Sequence, residues 1–590
     1  MARLHGKFRT TPAAAAAAIL AIAACPFGAA LSHSNMHRPP GSRIALTSPV
    51  FETEEHIIFG PQATAKPIGS GGKNEEQGWS VGVSGGGSWH VWSYETLFDR
   101  IDLPLWPEAM KEARIVLSTD MCRHDSTSPL PAAPFMPAPG LEYCGIHVSA
   151  TSRPDVPVAR AHHDMRRWMS SFMGWSPQGK KEETASGDAG DSDGSALGPE
   201  SFIDLGRTSI YYFHPFDARA LSTHRGRAGK LDLVRFAVDP GHHLRRLIDP
   251  HVNRNGGSWL DQRRIEVRLS RTPHGFVKIN AQVLSVIAPA EDISVLPMEN
   301  ATSSISWVSA ASSSRSFTLR RGQERPDLIV VPDEFYTQQQ KFLGTEGDVT
   351  EKTRDLGSFH PSLEISGQVE HHSAQGPGKA LLQAKCHLDT IQVLPSTYFF
   401  DPYQIHDVRE QLGGPYEHYG PVELEKPAEA MQNWGSILRI SAPSAGLGRQ
   451  AFNATIPIHA RYRLPPVRER TVGYNGEPTE DTHVETVLLP AISAIVCPTT
   501  SAEPSFALFS PARGSVLEKL AVRPALFEEL GVAPVAALRA APESDMLLRM
   551  AVGSTQNLAV IQSLTLVALF AGTVYIFLAT KRATSNPPKR

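Results

Sequence analysis

The chain is short of cysteine, of net charge and of reactive side chains in credible constellations. Its 590 residues include five cysteines, too few for a disulfide scaffold in so long a chain. Fifty-seven Lys and Arg against 60 Asp and Glu leave a formal net charge of −3, which gives no electrostatic basis for a nucleic-acid partner. Long amphipathic helices alternating with strands are also missing, which argues against a doubly wound α/β fold. Gly82-Val-Ser84-Gly-Gly86 has the G-x-S-x-G form, but it lies in a glycine-rich stretch rather than between a buried strand and a helix. Asp191-Ser-Asp193 has the D-x-D form of a metal and sugar-phosphate site, yet sits in an acidic, apolar-poor segment. The His162-His163-Asp164 and His242-His243 groups lack further ligands at zinc-like spacing. No catalytic, cofactor or metal residue is assigned, and no cofactor is expected.

What the chain does have is one long apolar run, Leu558 to Thr580, with no charge in it. A helix needs about 20 such residues to cross a bilayer. Lys581 and Arg582 follow, and basic residues stay on the cytoplasmic side, so 581–590 is expected to be a cytoplasmic tail with the bulk on the other side. Gln562, Thr565, Leu569, Gly572 and Ile576 recur at three- and four-residue steps. Small and hydrogen-bonding groups are what membrane helices pack with, and Gln562, Thr565 and Gly572 are the candidate contacts to a partner helix, the other reading being a plain anchor. At the other terminus Arg3, Lys7 and Arg9 precede the apolar run Ala13 to Ala24, with small residues at Gly28 to Ala30. This is the layout of a secretory signal peptide over 1–30. Both ends predict a single-pass type I protein with a large lumenal part.

Four cysteines remain after cleavage, Cys122, Cys144, Cys386 and Cys497, in an oxidising compartment. Cys122 with Cys144 and Cys386 with Cys497 are the expected pairs. The second closes a loop of about 110 residues, a constraint of roughly 4 to 5 kcal/mol before strain. Asn300-Ala-Thr and Asn453-Ala-Thr are N-glycosylation sequons.

Between the termini the chain reads as mainly β, with antiparallel sandwich-like lumenal domains ahead of the single transmembrane helix. Ile265, Val267 and Leu269 alternate with Glu266, Arg268 and Ser270, the period of a half-buried strand. Arg225 to Arg271 is basic, with 11 Lys or Arg against five acids, and reads as solvated surface, the other reading being a face for phosphoinositide head groups. A β-rich region is expected over 31–330, with disordered loops near 69–88 and 179–200 where almost nothing apolar is available to bury. Pro332 to Thr353 shows no alternation and reads as a short polar helical bridge. A second β domain is expected over 340–505. There Phe452, Ala454, Ile456, Ile458, Ala460, Tyr462 and Leu464 line one strand face. Asn453, Thr455, His459, Arg461 and Arg463 line the other, open to an acidic partner, a lipid phosphate or solvent. Residues 506–557, with helical character at Ser515 to Ala541, read as a stalk to the span at 558–580. Asp401-Pro402-Tyr403 reads as a turn, and Tyr398, Phe399 and Phe400 beside it as core. Tyr211-Tyr-Phe-His-Pro-Phe216 echoes Tyr398-Phe-Phe-Asp-Pro-Tyr403, as a duplication or by chance.

The ordered blocks Val393-Leu-Pro395-Ser-Thr-Tyr-Phe-Phe-Asp401-Pro402-Tyr403, His459-Ala-Arg461-Tyr462-Arg-Leu-Pro465 and Leu489-Pro to Cys497, followed by one span, resemble the PIG-X family, whose fungal branch is the protease B non-derepressible (PBN) family. The resemblance covers roughly 340–580. It implies an endoplasmic-reticulum membrane protein, the non-catalytic subunit that stabilises the multi-spanning, PIG-M-type catalytic subunit of glycosylphosphatidylinositol (GPI) mannosyltransferase I. That enzyme adds the first mannose of the GPI anchor. The alternatives are a free-standing lumenal chaperone or quality-control receptor, and a lumenal hydrolase.

Overall fold

The alternation at Ile265, Val267 and Leu269 belongs to a strand, Arg264–Arg271, in the middle of an eleven-stranded sheet. The computed structural model describes residues 52–59, 63–67, 79–83, 88–98, 106–119, 142–173, 199–215, 264–273, 276–287, 292–295, 304–309, 315–320, 327–330, 345–354, 358–371, 387–409, 411–412, 414–423, 426–443, 449–463, 483–496, 523–532, 534–542, 547–551 and 558–585. Among these the first sheet runs, in spatial order, Asp327–Val330, Arg315–Arg320, Ser304–Ser309, Glu52–Phe59, Ser88–Phe98, Val277–Ile287, Arg264–Arg271, Met110–Ser118, Gly145–Ser152, Ser209–Pro215 and Ile203–Leu205. A second, eight-stranded sheet runs Tyr416–Tyr419, Gly435–Pro443, His387–Pro395, Ile492–Val496, Pro534–Pro542, Thr345–Arg354, Ser362–His371 and Arg449–Pro457. Pairing is antiparallel except where Glu52–Phe59 meets Ser304–Ser309 and Thr345–Arg354 meets Pro534–Pro542. The protein is mainly β, as expected.

The period of 2 along each strand sorts side chains into separate cores. On Ser209–Pro215, Ile210 and Tyr212 face one way, into a core with Ile115, Val148, Val267 and the helix α1 (Val158–Phe172), which contributes Met165, Trp168, Met169 and Phe172. Tyr211 and Phe213 face the other way and meet Ile391, Val393, Ile437, Ile492, Ala494 and Val496 of the second sheet. Leu388, Leu394, Leu438 and Ile440 leave the second sheet on its far side, into a third core with Tyr398, Phe400 and Ile405. The two β regions therefore stack as a sandwich sharing a core. Trp434 bridges them, its ring edge-on to Tyr211 at 5.9 Å and to Phe213 at 5.6 Å. The Tyr143 hydroxyl reaches across to the Pro490 carbonyl at 2.9 Å.

Three expectations change, and one open alternative is narrowed. Trp79–Val83 is a strand inside the glycine-rich stretch expected to be disordered. Thr345–Arg354 is a strand where a polar bridge was expected; its apolar residues are too few to show a period, and its place between two neighbours decides it. The stretch read as a stalk supplies the short helix α2 (Ala525–Glu529), the strand Pro534–Pro542 inside the second sheet and the strand Leu547–Ala551, paired with His483–Val487. Tertiary pairing overrides the helix propensity of its alanines. The two echoing aromatic runs occupy unlike places, one a seven-residue strand of the large sheet, the other a two-residue strand before a helix. The signal-peptide region, the 179–198 segment and Ser84, Asp191, Asp193, His242 and His243 lie outside the described residues. The last described element is the helix α3 (Leu558–Ser585), of which Val560–Arg582 is long and apolar enough to cross a membrane.

Candidate functional site

The motif blocks converge at one end of the second sheet. Strand registers place Pro395, Gly435, Ile492, Pro542, Arg354, Ser362 and Pro457 at that end. Tyr398 and Phe399 form a two-residue strand against His459 and Ala460. Tyr398, Phe399 and Phe400 are 2%, 4% and 0% exposed, so the aromatic block is core, as expected.

Asp401 does more than make a turn. Its Oδ1 accepts the Tyr403 backbone N–H at 2.9 Å, and Pro402 opens a helix running Pro402–Asp407. An aspartate cap followed by proline at the first helical position is a strong helix start. The helix seals the core with Ile405 and leaves Tyr403 76% exposed.

The second block departs further from the expectation. The alternation holds from Ala454 to Ile456 and then breaks after Pro457, where the strand ends. Ile458 and His459 are both buried, Arg461 is 1% exposed and Tyr462 is 68% exposed. Arg461 therefore does not lie on an open basic face. Its guanidinium sits 4.4 Å from the centroid of the Phe399 ring and donates to the Glu423 and Lys426 carbonyls, tying the 420–426 loop to the aromatic block. His459 Nε2 lies 2.8 Å from Gln404 Oε1, with the His360 ring edge-on at 4.4 Å. Burial, then the neighbouring His360, push its pKa down against the pull of Asp401, so it is neutral at neutral pH and serves as a hydrogen-bonding wedge. Pro465 lies outside the described residues.

Near this end a buried carboxyl carries an energetic penalty. Glu351 is 1% exposed; its Oε2 accepts the Ala491 N–H at 2.8 Å, and Oε1 meets no donor among the described residues. Burial raises its pKa from the ordinary 4.5 to about 7. The folded state then holds a proton that the unfolded chain has released, so stability falls as pH rises from about 4.5 to about 7 and is level above. Glu351→Gln keeps the acceptor and removes the charge. It is expected to raise stability at pH 7.5 by up to ~3 kcal/mol, less at pH 5; equal effects at both pH values in denaturant titrations would refute this.

A second cluster, unforeseen, lies where α2 covers the polar face of the first sheet. Glu266 accepts from Arg114 Nε at 2.9 Å, Arg268 Nε at 2.6 Å and Arg264 Nη2 at 2.8 Å. Burial alone would raise the Glu266 pKa, but the three guanidiniums outweigh it and hold it well below the usual range. Arg264 also pairs with Glu142, whose Oε1 accepts the Ala525 N–H at 3.1 Å. Arg114 and Arg268 reach Glu528, and Ser149 donates to Glu529 at 2.5 Å. Leu526 and Phe527 of the same helix enter the sandwich core. The part of the basic zone from Arg264 to Arg268 is thus a buried ion network, not solvated surface. The only signal for it in sequence is charge on every second residue of a strand.

Cys144 is disulfide-bonded; Cys122 lies outside the described residues, as do Cys386, Cys497 and Asn300. His387 and Val496 face each other in adjacent antiparallel strands, and they are the immediate neighbours of Cys386 and Cys497. Such facing positions are about 4.5–5.5 Å apart at Cα, within disulfide reach. A Cys386–Cys497 bond is expected in non-reducing peptide maps, and two free thiols would disprove it. Asn453 is exposed on the edge strand Arg449–Pro457. On α3, Thr565 donates to the Ile561 carbonyl at 2.8 Å and nothing occupies the space a Cβ on Gly572 would fill. Among the described residues no three His, Cys, Asp or Glu side chains gather as a metal site.

These features define a β-sandwich protein whose motif loops gather at one sheet end, close in sequence to a terminal helix fit to cross a membrane. Residues 357–581 match the family model described as PIG-X / PBN1. Over 116 residues the chain is 33% identical to "Protein pbn1" of Aspergillus oryzae (strain ATCC 42149 / RIB 40), a match covering 18% of this chain and 21% of that protein. The chain thus matches about a fifth of the length of that curated relative. No solved structure matches it.

Proposed function

We propose that this protein is the non-catalytic stabilising subunit of the endoplasmic-reticulum GPI mannosyltransferase I, needed for adding the first mannose in GPI-anchor biosynthesis. The observation that carries the reading is the PIG-X / PBN1 match, which spans all the motif blocks and runs into α3. In this reading α3 crosses the membrane once with Lys581 and Arg582 on the cytoplasmic side, and the sandwich is lumenal. A disulfide at Cys144 suits that oxidising compartment, and Asn300 and Asn453 are glycan acceptors there. The partner is a multi-spanning PIG-M-type catalytic subunit, met within the bilayer by Gln562, Thr565 and Gly572. At Thr565 the hydroxyl is already used within the helix, so its contact is one of shape, and Gly572 admits a close backbone.

The mechanism is mass action. A subunit that binds only the folded transferase stabilises it by about 2.7 kcal/mol at 100 times its dissociation constant. That lowers the unfolded fraction seen by quality control about a hundredfold. Depleting this protein is therefore expected to lower the steady-state amount of the mannosyltransferase and to accumulate glucosaminyl-phosphatidylinositol. Re-expression with Ser84, Asp191 and Asp193 all replaced by alanine restores mannosylation, and a Gly572→Leu form recovers less partner than Leu564→Ile. Normal transferase levels after depletion, with many transient clients co-purifying, would instead indicate a general chaperone.

A further inference from the structure

The geometry points to the motif end of the second sheet as a lipid-contacting surface, with Tyr403, Tyr462, Phe359 and Val422 seated in the head-group layer of the bilayer that α3 crosses. The inference rests on the membrane-anchor part of the reading above. Outside α3, six large hydrophobic side chains are exposed among the described residues: Val158, Phe276, Phe359, Tyr403, Val422 and Tyr462. Four of the six lie at this one end, Tyr403 in the first turn of the Pro402–Asp407 helix and the other three on loops, and the two tyrosines are the most exposed of the six, at 76% and 68%. Phe359 and Tyr462 are neighbours, their rings 5.7 Å apart.

The same end is where the chain leaves for the membrane. Pro542 ends its strand opposite Glu351, toward the Arg354–Ser362 end of the sheet. The next strand begins at Leu547, opposite Val487, four residues before the Ala491 that bonds to Glu351. From Ala551 only residues 552–557 remain before the helix starts at Leu558. Seven Cα steps at up to ~3.6 Å reach about 25 Å, which keeps the sandwich on the bilayer surface.

Tyrosine suits that depth, since its ring is apolar and its hydroxyl is wet. Among the charges near it, Lys426 pairs with Glu423 and Arg354 with Glu364. Attraction therefore comes from the aromatic groups, and zwitterionic lipid suffices.

The test uses the full chain reconstituted in phosphatidylcholine vesicles carrying a spin-labelled phosphatidylcholine quencher. Tyr403→Trp and Tyr462→Trp are compared with Gln368→Trp, an exposed position on Ser362–His371 about 20 Å further from the motif end at ~3.3 Å per residue. Emission of the unmodified protein, with its nine tryptophans, is subtracted. Loss of most of the added emission at 403 and 462, with little loss at 368, is expected. Protein that floats with the vesicles but shows no loss at 403 and 462, or equal loss at 368, overturns the lipid assignment and leaves these side chains to a protein partner, with the anchor standing. Protein that does not float removes the anchor and the inference together.

Discussion

Glu266→Ala is expected to cost about 3–5 kcal/mol of stability, because removing one partner of a buried ion cluster leaves like charges uncompensated. Glu266 is 5% exposed and is the one carboxylate touching Arg114, Arg264 and Arg268 together. Without it three guanidiniums face one another beneath α2, and Glu142 and Glu528 each offset only part of the charge. Glu266→Gln should fall nearly as far, since an amide accepts hydrogen bonds but carries no charge. Denaturant titration of the solubilised protein reads the loss, and amide exchange over 523–529 reads whether α2 detaches. The exposed pair Arg153 with Asp155, 2.6 Å apart, is the control, and its removal should leave stability unchanged. A Glu266→Ala protein as stable as its parent would mean that the cluster is solvated in solution.

Arg461→Ala should be the most damaging change within the family motif, at about 3 kcal/mol. It leaves the Glu423 and Lys426 carbonyls without their donor and strips a cation from the Phe399 ring. Glu423 and Lys426 are exposed, so water can take up their carbonyls. The cost lies in the lost hydrogen bonds from a charged donor, about 1.5–3 kcal/mol, and in a desolvated cation–π contact of up to about 2. Arg461→Lys recovers only part, because an ammonium lacks the planar fork that reaches two carbonyls while stacking. Tyr462→Ala, one residue on and 68% exposed, should leave stability nearly unchanged. Thermal melts of the three variants decide the matter: a shift for Arg461→Ala as small as that expected for Tyr462→Ala would show that Arg461 also points to solvent.

The contrast between Arg461 and Tyr462 also shows where reading the chain alone stops. Period 2 was sound wherever a strand continued, as at Ile265, Val267 and Leu269 or Ala454 and Ile456. It assigned the wrong faces once Pro457 closed the strand, because a proline that cannot donate to the ladder frees the following residues to turn. The apolar faces were legible since they report burial directly. The burial of Arg264, Glu266 and Arg268 was not, since what covers them lies more than 250 residues away at Arg523–Glu528. The aromatic block was recognisable as core and its aspartate as a polar punctuation mark. Whether that aspartate began a helix or closed a turn depended on Ile405 having a core to enter. The 506–557 stretch, alanine-rich and punctuated by prolines, held too little period to reveal strands set by their neighbours.

The position of Pro534–Pro542, between Ile492–Val496 and Thr345–Arg354, bears on how the protein is made. A ribosome delivering ~5–20 residues per second finishes Arg354 roughly 10 to 40 seconds before it reaches Pro534. Throughout that interval the edge of Thr345–Arg354 waits for a neighbour that does not yet exist, joined by the edge of Ile492–Val496 only in the last ~2 to 8 seconds, and open edges are templates for mispairing. The middle of the second sheet can close only once nearly all of both sheets has emerged and the apolar helix is about to follow. Maturation of this protein is thus tied to the completion of its own translation, and a chain cut short before 534 is left with a sheet divided down its centre.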